Sequence, residues 1–67
     1  METPLQTARR ERAFQRSRLR VLRRYRARLV DSGGDAAGVD AQLAELELVV
    51  AEADARVRAL RAETPRS

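Results

Sequence analysis

Arginine is the residue type of this chain that offers the clearest chemistry. The sequence contains 14 Arg and no Lys, and half of the twenty positions from 9 to 28 are Arg. A guanidinium group stays charged near neutral pH, and its planar donors match the geometry of carboxylates and phosphates. The arginines that we expect to project from one side of a helix and to contact a partner or a phosphate are Arg9, Arg16, Arg20 and Arg23.

The chain lacks the side chains on which most enzyme mechanisms depend. It has no His, no Cys and no Trp. Imidazole bases, thiolate nucleophiles, disulfides and zinc fingers are therefore excluded. No pair of carboxylates stands apart from the charged helix flanks as a general acid and base. We expect no enzyme activity, no catalytic residue, no metal site and no cofactor.

The elements that carry the arginines are predicted by one strong break in the sequence, the pair Gly33 and Gly34. Glycine takes the left-handed conformation that often ends a helix. Thr3, Pro4 and Gln6 form an N-terminal capping pattern. We predict a single domain over residues 1–67, with a helix at about 4–31, a turn at about 32–37, a helix at about 38–63 and a frayed tail at 64–67.

The second half contains a heptad pattern. Its apolar residues follow alternating steps of four and three, which is the spacing of a helix that packs on another helix. Acidic residues flank this seam at Asp40, Glu47 and Asp54. The residues of the second half that we predict to pack in the hairpin or at an interface are Val39, Leu43, Leu46, Val50, Val57 and Leu60.

The first half has a broader and weaker apolar face. At about 100° per residue, its large apolar side chains gather on one side of the helix, with Glu11 and Arg18 on the midline. We expect Arg18 to pair with Glu47 or Asp54. Both aromatic rings are expected to face inward, which leaves none for base stacking. The predicted packing residues of this half are Phe14, Leu22, Tyr25 and Leu29.

A second strip of mostly small side chains lies opposite the heptad seam. Two opposed apolar strips suggest two neighbours, and small side chains allow close approach. A simpler explanation is that Ala is the best helix former and that GC-rich coding supplies it freely. The residues of this candidate dimer strip are Ala41, Ala44, Leu48, Ala51 and Ala55.

The two halves carry charges of opposite sign. Residues 1–32 contain ten Arg against three acidic residues, a net charge of +7, whereas residues 33–67 contain four Arg against seven acidic residues, a net charge of −3. Antiparallel pairing of the helices would place unlike charges side by side and would account for part of the arginine run. Several arginines would nevertheless remain free.

These patterns predict an all-α fold, an antiparallel two-helix hairpin that dimerises into a four-helix bundle. In length and layout the chain resembles the Rop-type RNA-binding hairpins, although no residue motif matches. The resemblance implies an architecture and a homodimer, and it implies no activity.

The function that we expect from the sequence is binding of another macromolecule by a small regulator, adaptor or accessory subunit. The partner of the arginine-rich face is an acidic protein or, alternatively, the backbone of DNA or RNA. Membrane binding is not expected, because the first helix would have to abandon the seam of the second. We expect a cytoplasmic protein, because the N-terminus has no signal-peptide pattern and no apolar run approaches the roughly 18 residues of a membrane span.

Overall fold

The computed structural model of the chain is all-helical, and it describes residues 1–63. Helix α1 covers Pro4–Asp31 and helix α2 covers Ala37–Glu63. The two helices pack against each other as an antiparallel hairpin. The hairpin predicted from the sequence is confirmed. The frayed tail predicted at 64–67 lies outside the described residues.

Helix α1 begins with a capping box. The hydroxyl of Thr3 accepts a hydrogen bond from the backbone N–H of Gln6 at 3.1 Å, and the side chain of Gln6 accepts one from the backbone N–H of Thr3 at 2.9 Å. Pro4 occupies the first helical position, where its missing N–H leaves no hydrogen bond unmade. The capping residues therefore fix where α1 begins.

Helix α1 ends in a Schellman motif at the glycine pair. The N–H of Gly34 donates to the carbonyl of Leu29 at 2.8 Å, and the N–H of Gly33 donates to the carbonyl of Val30 at 3.0 Å. Gly33 has a φ of 82°, in the left-handed region that residues with a Cβ rarely adopt. Directly after Gly34, Asp35 Oδ1 accepts a hydrogen bond of 2.9 Å from the N–H of Ala37, the first residue of α2. The chain therefore reverses within a few residues.

The core of the hairpin is narrow and lies along one seam of each helix. On α2 the seam is the predicted heptad, in which Leu46 and Val57 are buried. On α1 the buried residues are Ala8, Gln15 and Leu19. The half-buried residues that border the seam are Leu5, Arg12, Leu22, Arg26 and Leu29 of α1 and Val39, Leu43, Val50, Ala53, Asp54 and Leu60 of α2.

The inward face of α1 differs from the expected one. Phe14 and Tyr25 were expected to face inward, but their side chains are 57% and 50% exposed. The expected face would have carried Glu11 and Arg18 on its midline, and burial of an unpaired charge is costly. The observed seam replaces them with Gln15, whose amide donates to Glu11 Oε1 at 2.7 Å and accepts from Arg18 Nη1 at 3.1 Å. Helix α1 is therefore rotated about its axis relative to the expectation.

Candidate interaction surface

Five arginines of α1 line a groove along one side of the hairpin, which we call the arginine groove. The groove has a volume of about 600 Å³ and an apolar floor formed by Ala13, Leu19 and Val50. The four arginines singled out from the sequence all lie in it, and Arg12 joins them. The arginines of the groove are Arg9, Arg12, Arg16, Arg20 and Arg23.

The acidic flank of α2 neutralises part of this groove. Arg16 Nη2 lies 2.8 Å from Oδ1 of Asp54, and Arg12 Nε lies 3.8 Å from the same oxygen. Arg23 Nη2 lies 3.6 Å from Oε1 of Glu47. Two of the predicted contact residues, Arg16 and Arg23, are therefore ion-paired within the chain, and their guanidinium groups also help to hold the helices together.

A third acidic residue of the flank pairs with an arginine near the turn. Arg26 Nε donates a hydrogen bond to Oδ1 of Asp40. This hydrogen bond lowers the pKa of the Asp40 carboxyl, and the charge of Arg26 acts in the same direction. The same hydrogen bond and the charge of Asp40 raise the pKa of Arg26. The acids at positions 40, 47 and 54, which are one heptad apart, thus all meet α1.

Arg9 and Arg20 differ from the other three arginines of the groove. Within residues 1–63 neither makes an ion pair or a side-chain hydrogen bond. They lie on either side of Arg12 and Arg16 in the same groove. The groove therefore combines two unpaired cations, three arginines already bound to carboxylates and an apolar floor.

The opposite side of α1 carries apolar side chains. Phe14, Val21 and Tyr25 are all exposed there, at helical steps of seven and four, with Arg18 between them. We expected Arg18 to pair with Glu47 or Asp54, but the structure shows neither pair. Its guanidinium carbon instead lies 5.8 Å from the centre of the Phe14 ring, a cation–π distance. We call the stripe of Phe14, Arg18, Val21 and Tyr25 the aromatic face.

The strip of small residues on α2 lies on the outside of the hairpin. All of its members are exposed, and Leu48 is the largest of them. The strip is nearly flat because four of the five side chains are Ala. The hairpin thus presents three distinct surfaces: the arginine groove, the aromatic face and this alanine strip of Ala41, Ala44, Leu48, Ala51 and Ala55.

The sequence interpretation missed Arg12 and the apolar floor of the groove. The acidic residues at intervals of seven carried a signal for Arg12. In the hairpin, Asp54 lies opposite the part of α1 between Arg12 and Arg16 and contacts both. The position of Leu19 beside the arginines followed only from the rotation of α1. That rotation depends on packing between the helices, which periodicity within one helix does not determine.

Over residues 1–63, no helix is long and apolar enough to cross a membrane. Comparison of the chain with protein-family models, curated proteins and solved structures gives no match.

Proposed function

We propose that this protein is a non-catalytic interaction protein that binds an acidic segment of another protein in the arginine groove. The observation that carries the proposal is the combination of unpaired Arg9 and Arg20 with the accessible apolar surface of Ala13 and Val50 beside them. An amphipathic helix with acidic and apolar faces would match both features at once, because carboxylates pair with the guanidinium groups and apolar side chains cover the floor. Such a protein would act as a small regulator, adaptor or accessory subunit.

A nucleic-acid backbone is the alternative occupant of the groove. Phosphates would pair with Arg9 and Arg20, but they would leave the accessible apolar surface of Ala13 and Val50 uncovered. The exposure of Phe14 and Tyr25 removes one objection, since rings are available for base stacking. These rings lie on the other side of α1 from the groove, so one strand would have to wrap around the helix to contact both.

We also propose that the hairpin dimerises into a four-helix bundle. Within residues 1–63 only four apolar side chains are buried, namely Ala8, Leu19, Leu46 and Val57. A core of this size supplies little stabilisation for a chain of 67 residues. A second copy would bury further apolar surface and extend the core.

Fluorescence anisotropy with two labelled probes tests the binding proposal. The first probe is a synthetic amphipathic peptide with one glutamate face and one leucine face, and the second is a short DNA duplex. The test variant is the double substitution Arg9→Gln/Arg20→Gln, and the control is Arg24→Gln/Arg28→Gln. The control removes the same charge from arginines that make no ion pair within residues 1–63 and that lie outside the groove.

We expect the groove variant to bind the acidic peptide about tenfold more weakly than the native chain, or weaker still. The control should change the affinity by less than about twofold, because it loses only long-range attraction. Equal weakening by both variants would show that net charge, and not the groove, attracts the peptide. Tighter binding of the duplex than of the peptide, weakened by the groove variant, would favour the nucleic-acid alternative.

A further inference from the structure

The aromatic face continues across the hairpin onto α2. A hollow between the helices is lined by Arg18, Leu22, Glu45 and Val49, among others, and a neighbouring hollow shares Val49. Val49 is itself exposed. Of the large apolar side chains exposed within residues 1–63, those on this side of the hairpin are Phe14, Val21, Tyr25 and Val49.

We infer that this side of the hairpin, and not the alanine strip, is where a second copy of the chain docks. The inference rests on the dimer proposed above and specifies its surface. Burial of an aromatic ring stabilises a structure more than an exposed ion pair does. The rotation of α1 keeps Glu11 and Arg18 out of the hairpin core but leaves Phe14 and Tyr25 outside, and a partner that covers both rings would recover their burial.

The second hollow gives the partner's side chains a place to insert. It is lined by Ala8, Glu11, Gln15, Glu52 and Arg56, together with Val49 and Ala53. Two of its lining residues are alanines, so the hollow has room beside the core. The two hollows follow one another along the boundary between the two helices. In a helical bundle, the holes that receive side chains from a facing helix are arranged in the same way.

The charges on this side match a second copy better than they match a purely acidic or purely basic partner. Helix α1 presents Glu11 and Arg18 there, and α2 presents Glu45, Glu52 and Arg56. Glu45, Glu52 and Arg56 make no ion pair within residues 1–63. Because both signs occur on both helices, the surface is complementary to itself.

The same charges select one orientation of the two hairpins. The contacts of Asp54 with Arg12 and Arg16 place the middle of α1 level with the middle of α2. If the twofold axis runs along the helices, α1 of each copy packs on α2 of the other at these levels. Glu11 then faces the partner subunit's Arg56, and Arg18 faces the partner subunit's Glu52. Both turns lie at the same end of the dimer.

The opposite orientation offers fewer pairs of unlike charges. A twofold axis perpendicular to the helices would pack α1 on α1 and α2 on α2, with the turns at opposite ends. Among the residues that line the two hollows, Arg18 would then meet an α1 that presents one acid, Glu11, and Glu45 and Glu52 would meet an α2 that presents one base, Arg56. Like charges in contact across an interface oppose association.

A matched pair of substitutions tests the surface. Val21 on the aromatic face is 60% exposed and Leu48 on the alanine strip is 67% exposed, so a charge at either position leaves the core of the hairpin intact. In light scattering, we expect the native chain and Leu48→Glu to be dimers. We expect the dissociation constant of the Val21→Glu dimer to be at least about tenfold higher than that of the native dimer. Its helix content by circular dichroism should be unchanged. A dimer that Leu48→Glu disrupts and Val21→Glu does not would overturn the inference and favour the alanine strip.

The orientation is measured with a single spin label. The chain has no Cys, and a Cβ at Gly38 would meet nothing within 4 Å, so Gly38→Cys provides one label beside the turn. Turns at the same end predict a label separation of about 20 Å, the width of two helices, whereas turns at opposite ends predict about 40 Å, the length of α2. The longer separation would overturn the orientation. A monomeric native chain would overturn the proposed dimer as well, while binding in the arginine groove would remain to be judged by its own test.

Discussion

Arg16 and Asp54 are 38 positions apart in the sequence, and Nη2 of Arg16 donates a hydrogen bond of 2.8 Å to Oδ1 of Asp54. Asp54 also lies 3.8 Å from Nε of Arg12, one turn earlier on α1. A single carboxylate thus holds two arginines of the groove and sets the register of the hairpin. The same pairing keeps two guanidinium groups partly occupied, so the proposed partner would compete with Asp54 for them.

Replacement of Asp54 separates these two roles. We expect Asp54→Asn to lower the free energy of unfolding by about 0.5–1 kcal/mol, because two partly exposed ion pairs are lost. The same change should tighten binding of the acidic peptide, because Arg12 and Arg16 become free. Urea unfolding and anisotropy measure the two effects. Asp31→Asn is the control, since Asp31 makes no ion pair within residues 1–63 and should leave peptide affinity unchanged.

The pair of Arg26 and Asp40 predicts a dependence of stability on pH. The pKa of Asp40 is lower in the folded chain than in the unfolded chain, because Arg26 donates a hydrogen bond to the ionised carboxyl. Its contribution is therefore complete above the ordinary aspartate pKa of about 3.9 and is lost as pH falls through the lower folded value. We expect the difference in unfolding free energy between the native chain and Asp40→Asn to vanish at acidic pH.

Arg26→Gln provides the control for this pH effect. It should lower stability near neutral pH as Asp40→Asn does, and the double variant should be no less stable than either single variant, because the two residues act as a pair. Additive losses from the two substitutions would contradict the pairing.

The hairpin has room for a side chain at Gly38, near the start of α2, but not at Gly34 in the turn. A Cβ at Gly34 would overlap Cδ1 of Leu29 and would lie 3.2 Å from the Leu29 carbonyl oxygen. We expect Gly34→Ala to destabilise the chain by about 1–3 kcal/mol, because Leu29 must move. Gly38→Ala places its methyl group in open space within α2 and should stabilise by about 0.5–1 kcal/mol. Thermal unfolding of the two variants would contradict this account if both shifted in the same direction.

Val57 is the most buried side chain of the described residues, with no exposed surface. Removal of its two methyl groups leaves a cavity in a small core, and we expect Val57→Ala to lower the free energy of unfolding by about 1–3 kcal/mol. Val30→Ala removes the same atoms from an exposed position at the end of α1 and should change stability by less than about 0.5 kcal/mol. Urea unfolding at one fixed protein concentration compares the two, since the proposed dimer would make stability depend on concentration.

Much of the hairpin could be predicted from the sequence. The cap at Thr3, the glycine pair and the heptad from Val39 to Leu60 are local signals, and each acts within its own segment. The rotation of α1 could not be predicted in this way. From the amphipathic pattern we expected Phe14 and Tyr25 to face inward. Instead Gln15 is buried, and its amide makes hydrogen bonds with both Glu11 and Arg18. Which residue of α1 is buried here depends on hydrogen bonds between neighbouring side chains. The positions of the apolar residues alone do not contain that information.

The arginine groove could be predicted from the sequence only in part. The grouping of Arg9, Arg16, Arg20 and Arg23 on one side could be predicted from their spacing, whereas their position beside Leu19 and Val50 required the rotation of α1. The rotation also moved the rings to the opposite surface. The proposed partner surface and the proposed dimer surface therefore lie on two separate sides of one small hairpin.

Methyl chemical-shift mapping tests the central claim most directly, because the floor of the arginine groove is apolar. The chain would be labelled on Ala, Leu and Val methyl groups and titrated with the amphipathic glutamate–leucine peptide. We predict that the largest shifts fall on Ala13, Leu19 and Val50, and that Val21 and Val49 on the other side change little. Shifts concentrated on Val21 and Val49, or spread evenly over the helices, would contradict the proposal that the arginine groove is the binding surface.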